Sequence, residues 1–550
     1  MVVIEEKKAK KVPCLTSLFV SVPFADKQLF RILIHLHGSV YDKKSGIFEF
    51  PPSSLQFLVK LFIAKDDVKF VPLKEEKKTK AVESLSNKTK FKRDLFKHQK
   101  EAIEYGLNHA QWLLRDDQGL GKTTSVICLA DMLKRKRGIK HCLIVCGVNA
   151  LKYTWKEEIK ESSDLTACIL GERVTRTGKT KIGSVAERLE ALQSSISEFF
   201  VITNVETLQN KDFAKAFKKS KTKFDMIVVD EIHRLKSSGS NSAKTLLHLD
   251  ATYKVALTGT MVVNSPSDAY VPLKWIGSIN SNLSTMNGVY AVFGSFGNKQ
   301  IIGTQNLDLL RSVIQTCSLR RLKSEVLDLP PKIYKKEYVE LLPKQKALYE
   351  EVKTKVFESL DKLDHKPSVI EEISMNLRLR QITASPSMLS TEVKESAKLQ
   401  RLEELVEDIT GQGDKVVVFC SFKGTANEIC ERLQEYNPVV CTGDIHDSKE
   451  VEARKNKFMT DPSCKVFVGT WQKMGTGHTL TAANYLIFVD TPFTDSDFQQ
   501  SADRIYRIGQ TKTSFIITLI TKDTYDERVQ EIIDTKAMVA NYLQEVGRDG

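Results

Sequence analysis

Residues Phe224–His233 read FDMIVVDEIH, in which the solid apolar run Met226–Val229 is closed by two acids. That pattern predicts a parallel strand buried on both faces, because only a strand covered on each side tolerates consecutive Met, Ile and Val. In an open α/β sheet ligands collect at the carboxyl ends of such strands, so Asp230 and Glu231 are expected at the mouth of a cleft. Upstream, DDQGLGKTT at Asp116–Thr124 follows the short apolar run Trp112-Leu113-Leu114 and leads into TTSVICLADMLKRK, whose apolar residues recur at helical spacing. Strand, glycine loop and helix in that order make a phosphate cradle. Gly119 and Gly121 let the backbone N–H groups face the phosphates, Lys122 neutralises them, Thr124 adjoins, and the Thr123 hydroxyl is placed to hold Mg²⁺. Asp116 stands where such loops usually carry their first glycine.

The two motifs together imply an ATP·Mg²⁺ site. Asp230 is expected to hold the metal through its water shell, and Glu231 to position and deprotonate the attacking water. A third stretch, QQSADRIYRIGQ at Gln499–Gln510, lies far downstream beyond a second set of strand-like runs. On a helix its Arg504 and Arg507, at i and i+3, leave the same face. Arginines brought to a phosphate from another domain are arginine fingers, and Gln500 is expected beside them on the nucleotide.

GLGKTT, DEIH, LTGT at Leu257–Thr260, LRRLKSEVLDLPPK at Leu319–Lys332, LRLRQI at Leu377–Ile382 and QQSADRIYRIGQ occur in the order found in the Swi/Snf-type family of double-stranded DNA translocases, within helicase superfamily two. The chain resembles that family from about Leu95 to about Ile533. The resemblance implies an α/β fold of two RecA-like parallel-sheet lobes with helical insertions between them. It implies that Gln99 reads adenine, with Phe96 and His98 nearby, and that Thr258 and Thr260 couple hydrolysis to DNA contact. In the family a proline usually follows LTGT; here Met261 does.

The expected organisation has six parts. Residues 1–73 form a small α+β domain, 74–94 a basic linker, 95–277 the first lobe, 278–396 a helical insertion and interlobe linker, 397–522 the second lobe and 523–550 a brace helix. In the first part LTSLFVSV reads as a strand, Asp26–Leu36 as a helix, Val40–Phe50 as a hairpin around DKKSG, and Ser54–Ile63 as a second helix opened by PPSS. This order is similar to the HARP domain of annealing-helicase relatives. First-lobe strands are expected at 142–146, 199–203, 226–230 and 254–259, and second-lobe strands at 415–419, 438–440, 464–470, 485–490 and 514–520. Between the lobes, LLPKQKALYEEVKTKVFESLDKL and IEEISMNLRLRQI carry helical periodicity, and Ser281–Gln300 reads as loop.

Charge is unevenly spread. Residues 1–100 hold 21 Lys or Arg against 11 Asp or Glu, and the other 450 hold 61 against 58. A basic N-terminal module ahead of a nearly neutral ATPase suggests an accessory contact with the phosphate backbone. DNA contacts in the first lobe are expected from Thr203, Asn204, Arg234 and Lys236, and in the second from Ser421, Thr442, Thr470 and Lys473, with Gly475 and Gly477 in the family's glycine-containing motif. Short hydroxyl and amide side chains at strand ends suit sugar-phosphate contacts, and equally suit helix caps.

No window reaches the ~18 apolar residues of a membrane span. The start, MVVIEEKKAKKVP, has no signal-peptide core. Ten scattered cysteines include no CxxC pair for zinc, and Cys142 and Cys146 are expected in the core of one strand. The expectation is therefore an intracellular, monomeric motor on double-stranded DNA, forked or branched DNA included, cytoplasmic or nucleoid-bound in a prokaryote or virus and nuclear in a eukaryote. A strand-separating DNA or RNA helicase shares the same core. An ATP-gated DNA-binding scaffold is the non-enzymatic alternative.

Overall fold

The computed structural model describes residues 2–8, 16–21, 33, 40–42, 45–50, 58, 68–71, 85 and 90–534, apart from 148–150, 175–179, 260, 262–264, 280, 294–300, 362–368, 446–447, 475–478, 508 and 532. The chain divides into two compact units, one holding Met1–Val326 and the other Leu327–Val539.

The N-terminal sheet contains β1 (Val2–Lys8), β2 (Thr16–Ser21), β3 (Val40–Asp42), β4 (Ile47–Phe50) and β5 (Val68–Val71), in the order β3-β4-β2-β1-β5. The expected strand and hairpin are β2 and β3–β4. Neither β1 nor β5 was expected; β1 lies between β2, antiparallel, and β5, parallel. In β4 Phe48 and Phe50 are buried at alternating positions, and in β2 Leu18, Phe19 and Val20 are all buried. Of the two helices expected here, Leu33 and Leu58 alone are among the described residues, and both are helical and buried.

The rest of the first unit is built on seven parallel strands. They are β6 (Gln111–Leu114), β7 (Cys142–Cys146), β8 (Ala167–Ile169), β11 (Phe200–Asn204), β12 (Met226–Val229), β13 (Tyr253–Leu257) and β16 (Ser318–Leu319), in the order β16-β6-β13-β12-β7-β11-β8. Two short antiparallel pairs stand apart from it, β9 (Glu172–Val174) with β10 (Thr180–Ile182) and β14 (Ala291–Phe293) with β15 (Ile301–Thr304). Every residue of β6, β7, β11 and β12 is buried, as the continuous apolar sequences of β7 and β12 require; the polar Gln111, Thr203 and Asn204 are buried at the strand ends. Cys142 and Cys146 are core residues of β7, and burial holds both thiols well above their usual range. Because β6, β13 and β12 are neighbours, the loops that follow them open side by side.

The second unit has six parallel strands: β17 (Lys332–Val339), β18 (Val416–Cys420), β19 (Val439–Cys441), β20 (Val466–Thr470), β21 (Tyr485–Phe488) and β22 (Ser514–Thr521), in the order β17-β22-β21-β18-β20-β19. Val416, Val418 and Cys420 pack into one apolar cluster and Val417 and Phe419 into another, so both faces of the sheet are covered. Two parallel sheets flanked by helices are the expected pair of RecA-like lobes.

The segment read as a helical insertion is less uniform than its periodicity suggested. The long helices Pro343–Asp361 and Val369–Ala384 are present, but β16 is an edge strand of the first unit's sheet and β17 an edge strand of the second unit's sheet. Part of the loop expected at Ser281–Gln300 is the helix Leu283–Tyr290, whose N-cap Asn282 accepts the Thr285 N–H at 2.8 Å and whose Met286 and Tyr290 are buried. Within the expected brace, residues 525–531 are helical, and 535–550 lie outside the described residues.

Candidate nucleotide site

The phosphate loop leaves β6 and enters the helix Lys122–Arg137 through two left-handed glycines, Gly119 at φ +83° and Gly121 at φ +75°. A Cβ at Gly121 would also lie 2.2 Å from Gln99 Nε2, so this position requires glycine both for its conformation and for space. Lys122 Nζ donates to the carbonyls of Asp116 (2.7 Å) and Asp117 (3.2 Å). An incoming phosphate competes with those carbonyls for the same ammonium. Thr123 is half-buried in the first turn, whereas Thr124 Oγ1 donates to Glu158 Oε2 at 3.3 Å and is committed to a neighbouring helix.

The acids sit beyond β12. Asp230 is buried, and Trp155 Nε1 donates to its Oδ2 at 2.9 Å. Burial, and then the charge of Glu231, push its carboxyl up to about 6, while Trp155 and the charge of Lys122 act in the opposite direction. Glu231 adopts φ +50°, a left-handed conformation that costs a non-glycine residue ~1–2 kcal/mol. Across from it a Cβ at Gly147 would lie 2.7 Å from Glu231 Cβ, so glycine there makes room for the turn. Glu231 Oε2 is 3.2 Å from His233 Nδ1, and that same nitrogen is 3.1 Å from Thr258 Oγ1 at the end of β13. His233 and Thr258 thus link the loops after β12 and β13, with the Glu231 carboxylate alongside. Thr260 lies outside the described residues.

Gln99 belongs to the helix Lys97–Asn108 and is buried against the loop, its Oε1 accepting the Phe96 N–H at 3.0 Å. The neighbouring His98 Nε2 lies 2.9 Å from the Leu120 carbonyl, and its ring stacks on Phe96, which is half exposed. An apolar ring at the surface beside a buried amide suits recognition of a flat base.

The residues expected to touch DNA in this unit differ in exposure. Thr203 and Asn204 are buried, and Asn204 Oδ1 accepts the Thr207 hydroxyl at 2.5 Å, so both side chains are turned inward. A nucleic-acid contact at this strand end has to use main-chain groups. Arg234 is exposed on the 3₁₀ turn Ile232–Leu235, and Lys236 Nζ lies 3.9 Å from Asp268 Oδ2.

In the second unit the arginine-bearing segment departs from expectation. The helix Asp495–Ala502 ends before either arginine, so Arg504 and Arg507 do not share a helical face. Arg504 is buried and its Nε donates back to the Gln500 carbonyl at 2.9 Å, satisfying one of the helix's terminal carbonyls. The Arg504 carbonyl accepts the Leu480 N–H at 2.9 Å, which draws the chain off the helical path. Arg507 is half-buried, with Nη1 3.0 Å from Thr479 Oγ1. Gln500 is buried within the unit, its Nε2 3.4 Å from Ser496 Oγ. Ser421 donates its N–H to Asp490 Oδ2 at 3.1 Å and its hydroxyl to the same carboxylate, while Trp471 Nε1 donates to Ser421 Oγ at 3.0 Å. Thr442 and Thr470 are buried at the ends of β19 and β20, Lys473 is half-buried on the turn Trp471–Met474, and Gly475 and Gly477 lie outside the described residues.

The sequence profile of the SNF2-related domain matches residues 65–388, more than half of the chain, and that of the helicase conserved C-terminal domain matches 397–509. The chain belongs to the SNF2-related family. It is 26% identical over 446 residues to an uncharacterized ATP-dependent helicase of Mycoplasma pneumoniae, covering 79% of this chain and 41% of that protein. It is also 26% identical over 470 residues to the mouse DNA annealing helicase and endonuclease ZRANB3, covering 82% and 41%. The chain spans about two-fifths the length of these curated relatives. The solved SWI2/SNF2 ATPase core of Sulfolobus solfataricus in complex with double-stranded DNA aligns with 84% of this chain and 95% of that one, at 24% identity and a TM-score of 0.38.

In this SNF2-related chain the family motifs outside the nucleotide loops carry one buried and one half-buried cation, Arg380 and Lys332. Arg380 of LRLRQI donates to the Thr491 carbonyl at 2.6 Å, lies 3.6 Å from Asp490 Oδ1 and stacks 4.2 Å above the Phe493 ring. Lys332, the last residue of LRRLKSEVLDLPPK, lies 3.2 Å from Asp503 Oδ1, next to Arg504 in sequence. Burial lowers the Lys332 pKa, but Asp503 and Tyr334 together more than offset this and hold the ammonium above its usual range. Helical spacing drew attention to exposed faces, and these cations pack against loops distant in sequence.

Asp230 carries a stability prediction. Its folded-state pKa of about 6 exceeds the ordinary 3.8, so the folded protein holds this proton more tightly than the unfolded chain. The contribution is complete below pH ~4 and is lost as pH rises through about 6. At neutral pH the ionised carboxylate therefore opposes folding. Asp230→Asn should melt higher than wild type without metal, by a margin that widens from pH 5 to 7.5, and should lose ATPase activity. A margin that stays constant with pH contradicts the assignment.

Proposed function

We propose that the chain is an ATP-driven motor that translocates on double-stranded DNA. The observation that carries this reading is the meeting of opposite chemistries at the ends of β6 and β12, the strands on either side of β13: Lys122 opens the helix after the phosphate loop, and the buried Asp230 with Glu231 follows β12. Lys122 binds the phosphates and Gln99 the base. Thr123 and Asp230 would hold Mg²⁺, since a buried carboxylate next to a second acid is the setting a divalent cation neutralises. When bound, the metal supplies positive charge to the β- and γ-phosphate oxygens. Glu231 orients the water and takes its proton, Arg507 supplies the finger, and Arg504 holds the turn that presents it. Residues 95–277 bind the nucleotide, 397–522 provide the arginine and half of the DNA track, and 278–396 join them.

DNA forks and junctions are the inferred substrate, supported by the basic N-terminal hundred residues and by the HARP-like order of β2 and β3–β4. The protein is expected to act as a monomer. The deciding experiment compares ATPase stimulation by duplex, forked duplex, single-stranded DNA and RNA, alongside displacement of a triplex strand and unwinding of a fork. Duplex-stimulated hydrolysis with triplex displacement and no unwinding is the expected result. Stimulation by single strands with true unwinding would replace this reading with that of a strand-separating helicase.

A further inference from the structure

Just before it leaves the first unit, the chain is laced onto the phosphate loop. The Leu113 N–H donates to the Cys317 carbonyl (2.9 Å), Arg115 N–H to Leu319 (2.8 Å) and Asp117 N–H to Arg321 (3.1 Å). In return the Lys323 N–H donates to Asp117 Oδ2 at 3.1 Å. From this strap Arg321 reaches Asp116 with two prongs, Nε to Oδ1 at 3.0 Å and Nη2 to Oδ2 at 2.5 Å. Its remaining Nη1 donates to the His98 carbonyl and lies 3.3 Å from Glu101 Oε2. Asp116 has no exposed surface. A carboxylate buried that deeply is tolerable only with its partner in place, which explains why this loop can start on aspartate instead of glycine.

The clamp has a direction. Asp116 is the residue from which the phosphate loop departs, and His98 directly precedes Gln99, whose amide lies against Gly121. We propose that Arg321 is a positioning residue for the nucleotide: it holds the phosphate loop and the Gln99 helix at the separation that one adenine nucleotide spans. The proposal rests on the ATP-site reading above. It makes base selectivity, as well as affinity, depend on a side chain that touches no part of the ligand. Lysine at this position keeps the charge and loses the two-pronged geometry, because an ammonium is a point donor.

The test uses the full chain with Arg321→Lys, and with the neutral pair Asp116→Asn/Arg321→Gln in case the first variant does not fold. Equilibrium affinities for fluorescent ATP and GTP, KM and kcat with duplex DNA, and melting without nucleotide are measured. The expected result is a rise in Kd and KM of about tenfold, the scale of one charge-assisted hydrogen bond, with kcat at saturation nearly unchanged and the preference for ATP over GTP diminished. A lower melting temperature with unchanged KM and unchanged base preference marks a merely structural pair and overturns the proposal. Lys122→Ala separates the two levels. If the wild type binds no ATP, or Lys122→Ala binds it normally, the ATP-site reading fails and the proposal with it. If Lys122→Ala loses binding while both clamp variants keep affinity and base preference, only the proposal fails.

Discussion

Glu231→Gln leaves ATP affinity at the wild-type level and lowers DNA-stimulated turnover by about 10²–10⁴-fold, the range for removing a positioned general base. The substitution keeps the shape of the side chain, so the left-handed turn at φ +50° and the close approach to Gly147 are undisturbed. His233, whose Nδ1 lies 3.2 Å from Oε2, keeps its hydrogen bond with Thr258. What disappears is the basicity, together with one of the two reasons that Asp230 is hard to ionise. Nucleotide binding in the presence of Mg²⁺ should therefore hold or tighten while hydrolysis stops. Fluorescent-nucleotide titration and steady-state ATPase assays on the same preparation read both quantities. Wild-type turnover in this variant removes Glu231 from the role of base.

The part of the site that was legible in sequence is the part built from buried parallel strands. β12 and β7 announce themselves because a strand covered on both faces must be apolar at every position, and the loops that follow inherit their place from it. β16 escaped notice because two residues, Ser318–Leu319, carry no pattern at all; main-chain pairing with β6 holds them. β17 was missed for a different reason. It is an edge strand with Ile333, Tyr334 and Tyr338 exposed, and its KIYKKEYV sequence has the polarity of a surface element, not of a core strand.

Asp116 was the plainest departure from the familiar phosphate-loop pattern, and its explanation lay 205 residues away in Arg321. No local rule reaches that far. The arginine-bearing segment illustrates the converse failure, in which a local rule was applied where tertiary structure overrides it. Spacing of i and i+3 implies a shared face only while the helix lasts, and here Ile505 is drawn into the core while Leu480 pairs with the Arg504 carbonyl. Ser421 is expected to touch DNA from its place after a strand, and that expectation stands beside its bond to Asp490, a partner that an isolated stretch of sequence cannot reveal.

Arg507→Ala is the second variant with a large expected effect, a loss of about 10³-fold or more in DNA-stimulated ATPase, in line with the ~10³–10⁵ that an arginine finger contributes. The two arginines of the segment should no longer behave alike. Arg504 spends its Nε on the Gln500 carbonyl at the end of the helix Asp495–Ala502 and is buried. Arg504→Ala removes a charged donor from a helix terminus and should lower stability by about 1–3 kcal/mol, with activity falling through misplacement of the turn. Arg507 is half-buried and holds Thr479 at 3.0 Å, an exchangeable hydroxyl partner. Its truncation should leave melting and nucleotide affinity close to wild type, because a finger stabilises charge that develops only during phosphoryl transfer. Melting curves, nucleotide Kd and ATPase with and without duplex DNA, measured on both variants, separate the roles. An Arg507→Ala protein with normal stimulated turnover would eliminate the finger, and one that simply melts early would make Arg507, like Arg504, a residue that holds the turn in place.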